Sequence, residues 1–142
     1  MEIKITQTAS PKPKPQESAL GFGTTFTDHM FLMDYDDGQG WHDARIVPYA
    51  PITLSPSAAV FHYGAEVFEG LKAYRTAEGT VQLFRPEENT RRLWNSAERL
   101  CIPQVDPDDF MQALTALVSL EKDWVPKSFG ASLYLRPFLF AT

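Results

Sequence analysis

Four arginines around one predicted helix are the residues best suited to bind an anion. They are Arg85, Arg91, Arg92 and Arg99. A guanidinium is a planar fork that fits a phosphate or a carboxylate through two hydrogen bonds. The alternative is a solvated basic face, because Glu87, Glu88 and Glu98 lie on the same helix and can neutralise it. Spacing alone does not decide which arginine, if any, reaches an anion.

A tyrosine and an arginine near the end of the chain could bind a carboxylate together. Tyr134 and Arg136 are two residues apart on a predicted strand, and strand alternation places both side chains on one face. The alternative is an exposed charge beside a tyrosine at the edge of the core. The short runs His62-Tyr63 and Phe68-Glu69-Gly70 are equally ambiguous by themselves.

Several common catalytic motifs are missing from the sequence, which has no glycine-rich nucleotide loop and no HExxH zinc motif. The three histidines, His29, His42 and His62, do not have metal-ligand spacing, so no metal site is expected. Cys101 is the single cysteine. Its place at the end of an apolar helix face predicts a small buried side chain rather than a nucleophile.

The elements that must position these residues include two predicted strand pairs. Strands are predicted over 26–35 and 41–49, because both runs are rich in β-formers and the turn signal at 36–38 separates them. A second pair is predicted over 68–75 and 80–84, where apolar and polar residues alternate.

Three helices are predicted between and after these strands. A short helix is expected over 57–67, capped by Ser55 or Ser57. A longer helix begins at a proline and should cover 86–100, since its apolar residues recur at spacings of three and four. Another is expected over 106–124, with an aspartate at its start.

The last predicted element is a strand over 131–142, interrupted at Pro137. The order of strands, helices and a final strand indicates an α+β domain with a mostly antiparallel sheet and helices on one face. Because the sequence ends directly after a strand, we expect residues 19–142 to be the N-terminal part of something larger. In residues 1–18, prolines alternate with lysines, which predicts a flexible and solvated tail.

The composition of the 142 residues is that of an ordinary globular domain, with 44% hydrophobic and 22% charged side chains. A formal net charge of -5 argues against nucleic-acid binding. No apolar stretch predicts a membrane span and no signal peptide is recognisable, so a cytoplasmic protein is expected. Aromatic residues make up 13% of the chain, which suits either a core or the wall of an apolar ligand pocket.

Five stretches of the sequence resemble motifs of branched-chain aminotransferases. Residues 62–74 are similar to the family's HY…FEGxKAY stretch, and residues 83–92 are similar to its LFRPxxNxxR stretch. Residues 22–30, 122–126 and 132–137 match in order as well. The resemblance covers about residues 20–142, and several multi-residue motifs at matching spacing are far more specific than one.

This resemblance implies a fold-type IV transaminase that uses pyridoxal 5′-phosphate. Its expected reaction moves the amino group of leucine, isoleucine or valine to 2-oxoglutarate, in a homodimer. The family cofactor lies between a smaller N-terminal α+β domain and a larger C-terminal domain, and the smaller one corresponds to this chain.

The resemblance also implies roles for six residues. Arg92 is expected to bind the cofactor phosphate. Phe22, Phe68 and Tyr134 are expected to line the pocket for the aliphatic side chain. Tyr63 should reach the pocket of the neighbouring subunit. Arg136 should help to hold the carboxylate of glutamate or 2-oxoglutarate.

The sequence departs from the family in one respect. The family's Schiff-base lysine lies in the C-terminal domain, and none of the six lysines here matches it. We therefore expect no catalytic residue in this chain and no activity from it alone. Two alternatives stay open: another fold-type IV enzyme, such as a D-amino-acid transaminase or an aminodeoxychorismate lyase, and a non-catalytic binding or assembly module.

Overall fold

The structure, a computed structural model, describes residues 1–142 and has eight strands, three α-helices and two short 3₁₀ turns. The strands are β1 (Lys4–Ile5), β2 (His29–Asp36), β3 (Gly40–Pro48), β4 (Glu66–Phe68), β5 (Leu71–Arg75), β6 (Val81–Leu83), β7 (Leu133–Leu135) and β8 (Phe138–Phe140). The helices are α1 (Ala59–Tyr63), α2 (Pro86–Arg99) and α3 (Pro107–Leu120), and the 3₁₀ turns are Glu17–Ala19 and Lys122–Trp124.

Both predicted strand pairs are confirmed as antiparallel hairpins. In the first, Tyr35 of β2 lies opposite Trp41 of β3, and the turn between them uses Gly38 and Gly40 at φ of 85° and 78°. These positive values favour glycine because it has no Cβ. In the second hairpin, Arg75 of β5 lies opposite Val81 of β6.

The sheet is divided into three small sheets, although a single one was predicted. Their strand orders are β1-β3-β2, β4-β8 and β6-β5-β7, and every pairing except β1 with β3 is antiparallel. The predicted α+β class with mostly antiparallel pairing is therefore confirmed. The division arises where β4 gives way to β5 at Glu69-Gly70 and β7 gives way to β8 at Arg136-Pro137.

The core forms where α2 and α3 pack against β4, β5 and β7. Its members are Val67, Leu71, Ala73, Leu93, Ala97, Val105, Phe110, Leu114, Val118, Val125 and Leu135. Helix α3 begins as predicted, because the Asp106 carboxylate accepts hydrogen bonds from the amides of Asp108 and Asp109 at 2.9 and 3.3 Å. Such a cap satisfies amides that have no partner within the helix. No helix has the length and apolar character needed to cross a lipid bilayer.

The helix predicted over 57–67 is much shorter than expected. It ends at Tyr63 because Gly64 adopts a left-handed conformation, with φ of 59°. Its N-cap is Ala58, so the predicted serine cap is wrong; the hydroxyls of Ser55 and Ser57 bond to each other at 2.8 Å. The end of the predicted helix belongs to strand β4 instead.

Cys101 is exposed, and the prediction of a buried side chain is wrong. Helix α2 ends at Arg99, and the backbone at Cys101 turns to a positive φ of 54°. The cysteine therefore lies beyond the apolar face that the helical spacing predicted.

The first eighteen residues are extended and mostly exposed, and hydrogen bonds attach them to the rest of the domain along their length. The N-terminal ammonium binds Asp109 at 2.9 Å. The Thr8 amide donates to Nε2 of the buried His29 at 2.9 Å, and the Glu17 carboxylate accepts from the amides of Lys127 and Ser128 at 2.8 and 2.7 Å. No local pattern in the sequence indicates these contacts. Flexibility of this segment stays a prediction.

The buried carboxylate of Asp28 is one of the strongest attachments of this segment. It accepts hydrogen bonds from the Lys12 amide at 2.8 Å and the Trp124 indole at 3.0 Å, and Lys14 lies at 3.4 Å. Burial acts to raise the pKa of Asp28, but these donors outweigh it and the pKa lies below its usual value. A carboxyl with a lowered pKa stabilises the fold above its unfolded pKa and loses that contribution as the pH falls through the folded one.

We therefore expect Asp28→Asn to lower the urea midpoint of unfolding at pH 7. The difference from the parent chain should shrink at pH 3, where the parent carboxyl is partly protonated. Asp37→Asn, in the exposed β2–β3 turn, is the control and should change neither value. An Asp28→Asn effect of equal size at both pH values would contradict a role for the ionised carboxyl.

Candidate functional site

Two of the sequence motifs face each other at the divisions of the sheet. Phe68 pairs with Phe138 at the end of β4 and β8, and Leu71 pairs with Leu135 at the start of β5 and β7. Between these pairs, the Glu69 amide donates to the Pro137 carbonyl at 2.9 Å. The Phe-Glu-Gly run and the Tyr-Leu-Arg-Pro run, distant in sequence, therefore form one structural unit.

Four of the residues predicted for the substrate pocket lie together on this unit. The Phe22 and Tyr134 rings meet edge to face, with centroids 5.0 Å apart. The Arg136 guanidinium carbon lies 4.5 Å from the centre of the Phe68 ring and 5.3 Å from that of Tyr134. Arg136 Nη2 donates to Tyr134 Oη at 3.1 Å. The expected shared face of Tyr134 and Arg136 is confirmed, and a cation lies beside an aromatic wall.

Gly70 is the position where a side chain would not fit. A Cβ at this residue would lie 1.9 Å from Tyr134 Oη and 2.7 Å from Cζ of the same ring. The tyrosine can therefore occupy its place only because residue 70 is glycine. In this way the Phe-Glu-Gly motif determines the position of the Tyr134 hydroxyl.

Gly70→Ala should displace the Tyr134 ring and destabilise the chain by about 1–3 kcal/mol, the usual cost of overpacking. Thermal unfolding of the 142-residue chain measures this change. Gly21→Ala serves as the control, because its Cβ would meet only a threonine side chain, with the hydroxyl nearest at 3.0 Å. Tyr134→Phe in the Gly70→Ala chain should recover part of the loss, since it removes the closer of the two contacts. An additive double variant would argue against the clash.

Arg92 is held by a carboxylate that other groups fix in place. Glu69 Oε1 accepts from Arg92 Nε at 2.9 Å, and Oε2 accepts from Arg92 Nη2 at 2.9 Å. Asn89, one helical turn before Arg92 and 7% exposed, donates to the same Oε2 at 2.9 Å and to the Gly70 carbonyl at 3.1 Å. The Gly70 amide adds a bond at 3.3 Å. The arginine is thus linked through Glu69 and Asn89 to the motif that contacts Tyr134.

These bonds change the ionisation of both partners in the same sense. Burial acts to raise the pKa of Glu69, but hydrogen bonds from Arg92, Asn89 and the Gly70 amide lower it below its usual value. The Glu69 carboxylate raises the pKa of Arg92, mainly through its hydrogen bond. Both groups therefore stay ionised at neutral pH.

A cavity of about 460 Å³ joins the two parts of the site. Arg92 and Asn89 line it on one side and Tyr134 and Gly70 on the other, with Lys72 between them as the cross-strand neighbour of Tyr134. A volume of this size is typical of small-molecule sites. Arginine and lysine side chains beside aromatic rings suit an anionic ligand that also has a planar apolar part.

The remaining predicted residues lie apart from this cavity or are neutralised. Tyr63 is 84% exposed, and its ring meets only that of His62, at 6.3 Å. Arg85 and Arg91 both pair with Glu88, as the alternative of a neutralised basic face predicted. Arg92 is different because its partner comes from another element.

Sequence reasoning did not single out Asn89 and Lys72. Asn89 could have been found because a buried polar side chain needs partners, and it lies three residues before Arg92 inside the motif at 83–92. Lys72 could have been found only with the strand register, since it faces Tyr134 across β5 and β7.

Known proteins with similar sequences share one description. The chain is 59% identical over 140 residues to branched-chain-amino-acid transaminase 1 of Bacillus subtilis (strain 168), a match that covers 99% of the chain and 39% of that protein. It is 54% identical to a probable branched-chain-amino-acid aminotransferase of Staphylococcus aureus (strain N315), with the same coverage of both. The chain thus spans about two fifths of the length of these relatives. No protein-family model matches it.

Solved structures give the same result for the fold. The Escherichia coli branched-chain amino acid aminotransferase superposes with a TM-score of 0.56 at 26% identity, over 68% of this chain and 30% of that one. The branched-chain amino acid aminotransferase of T.th., complexed with N-(5′-phosphopyridoxyl)-L-glutamate, superposes with a TM-score of 0.55 at 32% identity, over 67% of this chain and 30% of that one.

The fold is that of the N-terminal domain of fold-type IV aminotransferases. Within that class the relatives are specific, because the nearly complete sequence matches all carry one activity in their names. Over the length that it spans, the chain corresponds to the N-terminal part of the branched-chain aminotransferase family.

Proposed function

We propose that this chain provides the substrate-pocket wall and the cofactor-phosphate arginine of a branched-chain-amino-acid aminotransferase. The reaction would move the amino group of leucine, isoleucine or valine to 2-oxoglutarate. The observation that carries the proposal is the shared cavity, which has Arg92 at one side and Tyr134, bonded to Arg136, at the other. An anion site and an aromatic wall next to a second cation match the needs of a phosphorylated cofactor and an amino-acid substrate.

The residues present fit pyridoxal 5′-phosphate. The two hydrogen bonds between Arg92 and Glu69 occupy one edge of the guanidinium, and Arg92 also lines the cavity. Lys72 adds a second positive charge to the lining, and no carboxylate pairs with it. Such a set of donors favours a phosphate group over a neutral ligand.

When bound, pyridoxal phosphate supplies the aldehyde that takes up the amino group and the ring that delocalises the electron pair of the α-carbon. The residues of this chain then bind and orient. Arg92 would hold the phosphate by charge-assisted hydrogen bonds. Phe22, Phe68 and Tyr134 would enclose the aliphatic side chain and exclude water from it.

Arg136 would serve the other substrate. Its guanidinium lies against the Phe68 and Tyr134 rings, so a dicarboxylic acid could place its second carboxylate there. An apolar pocket separates aliphatic substrates by only about 1–3 kcal/mol per methylene. One wall could therefore accept leucine, isoleucine and valine, while Arg136 admits glutamate.

Tyr63 would act in a homodimer. Its side chain is far more exposed than those of the aromatic wall and contacts no member of it. An exposed tyrosine with an apolar ring and a polar tip is suited to an interface. We propose that it enters the substrate pocket of a second subunit.

The activity can be tested in a hybrid protein, in which residues 1–142 are followed by the remaining residues of the 59% identical Bacillus subtilis relative. We call this hybrid the completed protein. It should convert L-leucine with 2-oxoglutarate and leave D-alanine unchanged. Turnover of D-alanine in preference to L-leucine would favour a D-amino-acid transaminase instead.

In the completed protein, Arg136→Ala should reduce kcat/KM for glutamate more than kcat/KM for leucine. The reason is that the second carboxylate of glutamate loses its cation, whereas the leucine side chain does not need one. Steady-state assays of both half-reactions measure the ratio. Arg99→Ala, on the exposed end of α2, is the control. Equal losses for both substrates would indicate damage to the fold or to the shared chemistry.

A further inference from the structure

The geometry points to Glu69 as the positioning residue of the anion site: it holds Arg92 in the orientation that receives the cofactor phosphate. This inference rests on the proposed role of Arg92. Nothing in the sequence motif assigns a task to the glutamate, because a carboxylate near a phosphate would by itself repel it. Its task becomes visible only in its contacts.

Glu69 engages one edge of the guanidinium and leaves the opposite edge available. Two of the five N–H donors of an arginine, on Nε and Nη2, bond to the Glu69 oxygens at 2.9 Å each. The other donors, on Nη1 and Nη2, form a second fork on the far edge. Arg92 is 54% exposed while Glu69 is 11% exposed, so the carboxylate anchors an otherwise mobile side chain.

The anchor itself has little freedom. Glu69 Oε2 accepts from the Asn89 amide at 2.9 Å and the Gly70 backbone at 3.3 Å in addition to Arg92. With the bond from Arg92 Nε to Oε1, four donors converge on one carboxylate. A ligand that binds a side chain already held in place loses less free energy in ordering it, and ordering a side chain rich in rotamers reduces affinity appreciably.

Glu69→Gln tests this role because it keeps the shape and replaces one acceptor by a donor. The glutamine amide would face donors that now point at a carboxylate, so Arg92 would be released. In the completed protein, we expect affinity for pyridoxal phosphate to fall by about two- to tenfold. Affinity for pyridoxal, which has no phosphate, should not change. Fluorescence or absorbance titration measures both dissociation constants without reference to turnover.

A purely electrostatic role for Glu69 predicts the opposite sign. Removing a negative charge near the cavity would strengthen phosphate binding. Glu88→Gln is the matched control, because Glu88 lines the same cavity and pairs with Arg85 and Arg91 instead of Arg92. It should leave the pyridoxal phosphate affinity unchanged or slightly higher.

The effect must also pass through Arg92. In an Arg92→Ala background, Glu69→Gln should cause no further loss of pyridoxal phosphate affinity, as expected for residues that act as a unit. In the 142-residue chain, the Nε–H NMR signal of Arg92 should be sharp and protected from exchange. Glu69→Gln should broaden it. If that variant does not fold, Glu69→Asp keeps the charge but is too short for both bonds and should give the same losses.

The outcomes separate this inference from the proposed function. If Arg92→Ala leaves pyridoxal phosphate affinity unchanged, the phosphate role of Arg92 fails, and the inference fails with it. If Arg92→Ala weakens binding while Glu69→Gln does not, or if pyridoxal affinity falls equally, only the positioning role is overturned. A loss specific to the phosphate and absent from the Arg92→Ala background supports it.

Discussion

Arg92→Ala should weaken the affinity of the completed protein for pyridoxal phosphate by about ten- to a hundredfold, the range expected from losing charge-assisted hydrogen bonds. The reason is geometric as well as electrostatic. Arg92 is the α2 arginine that is fixed by a residue outside its own helix, and it lines the cavity that also contains Tyr134. Equilibrium titration after removal of the bound cofactor measures the change.

The control for this variant is Arg91→Ala. Arg91 precedes Arg92 on the same helix but pairs with Glu88, which Arg85 also contacts. Its loss should alter the net charge by the same amount with little effect on cofactor affinity. Equal effects of the two variants would show that only the general positive charge of α2 matters. An unchanged affinity in Arg92→Ala would contradict the phosphate role.

Local signals in the sequence predicted the helices and hairpins well. Pro86 and Asp106 mark helix starts because a proline tolerates the first turn and an aspartate caps it, and both starts are confirmed. The failures occurred where tertiary contacts or one backbone angle decided the outcome. The positive φ of Gly64 ends α1 early, and the Lys12 amide attaches the N-terminal segment to Asp28 across a sequence separation that no local pattern reveals.

The site shows the same limit. Alternation along a strand was enough to place Tyr134 beside Arg136, because both residues belong to one short segment. It could not show that Phe22 reaches Tyr134, or that Glu69 bonds Arg92, since each contact joins distant segments. Sequence resemblance supplied candidate residues, and the structure brings five of the six to the same region; Tyr63 lies apart.

The chain by itself should catalyse no transamination. A general base must lie within hydrogen-bond reach of the proton that it moves, and the family's lysine has no counterpart among the six lysines here. Lys72 lines the cavity, but it lies on β5 opposite Tyr134 on the wall itself. We expect it to contribute charge to the anion site and no covalent chemistry, so Lys72→Arg should preserve the activity of the completed protein.

Glutamate formation from L-leucine and 2-oxoglutarate, with pyridoxal phosphate present, is the measurement that tests the central claim most directly. It should be followed for residues 1–142 alone and for the completed protein, under identical conditions. We predict turnover by the completed protein and none by residues 1–142 alone. A completed protein that folds and binds pyridoxal phosphate but does not transaminate leucine would contradict the proposed function. Comparable turnover by residues 1–142 alone would contradict the assignment of this chain as the pocket wall and phosphate anchor of a larger catalyst.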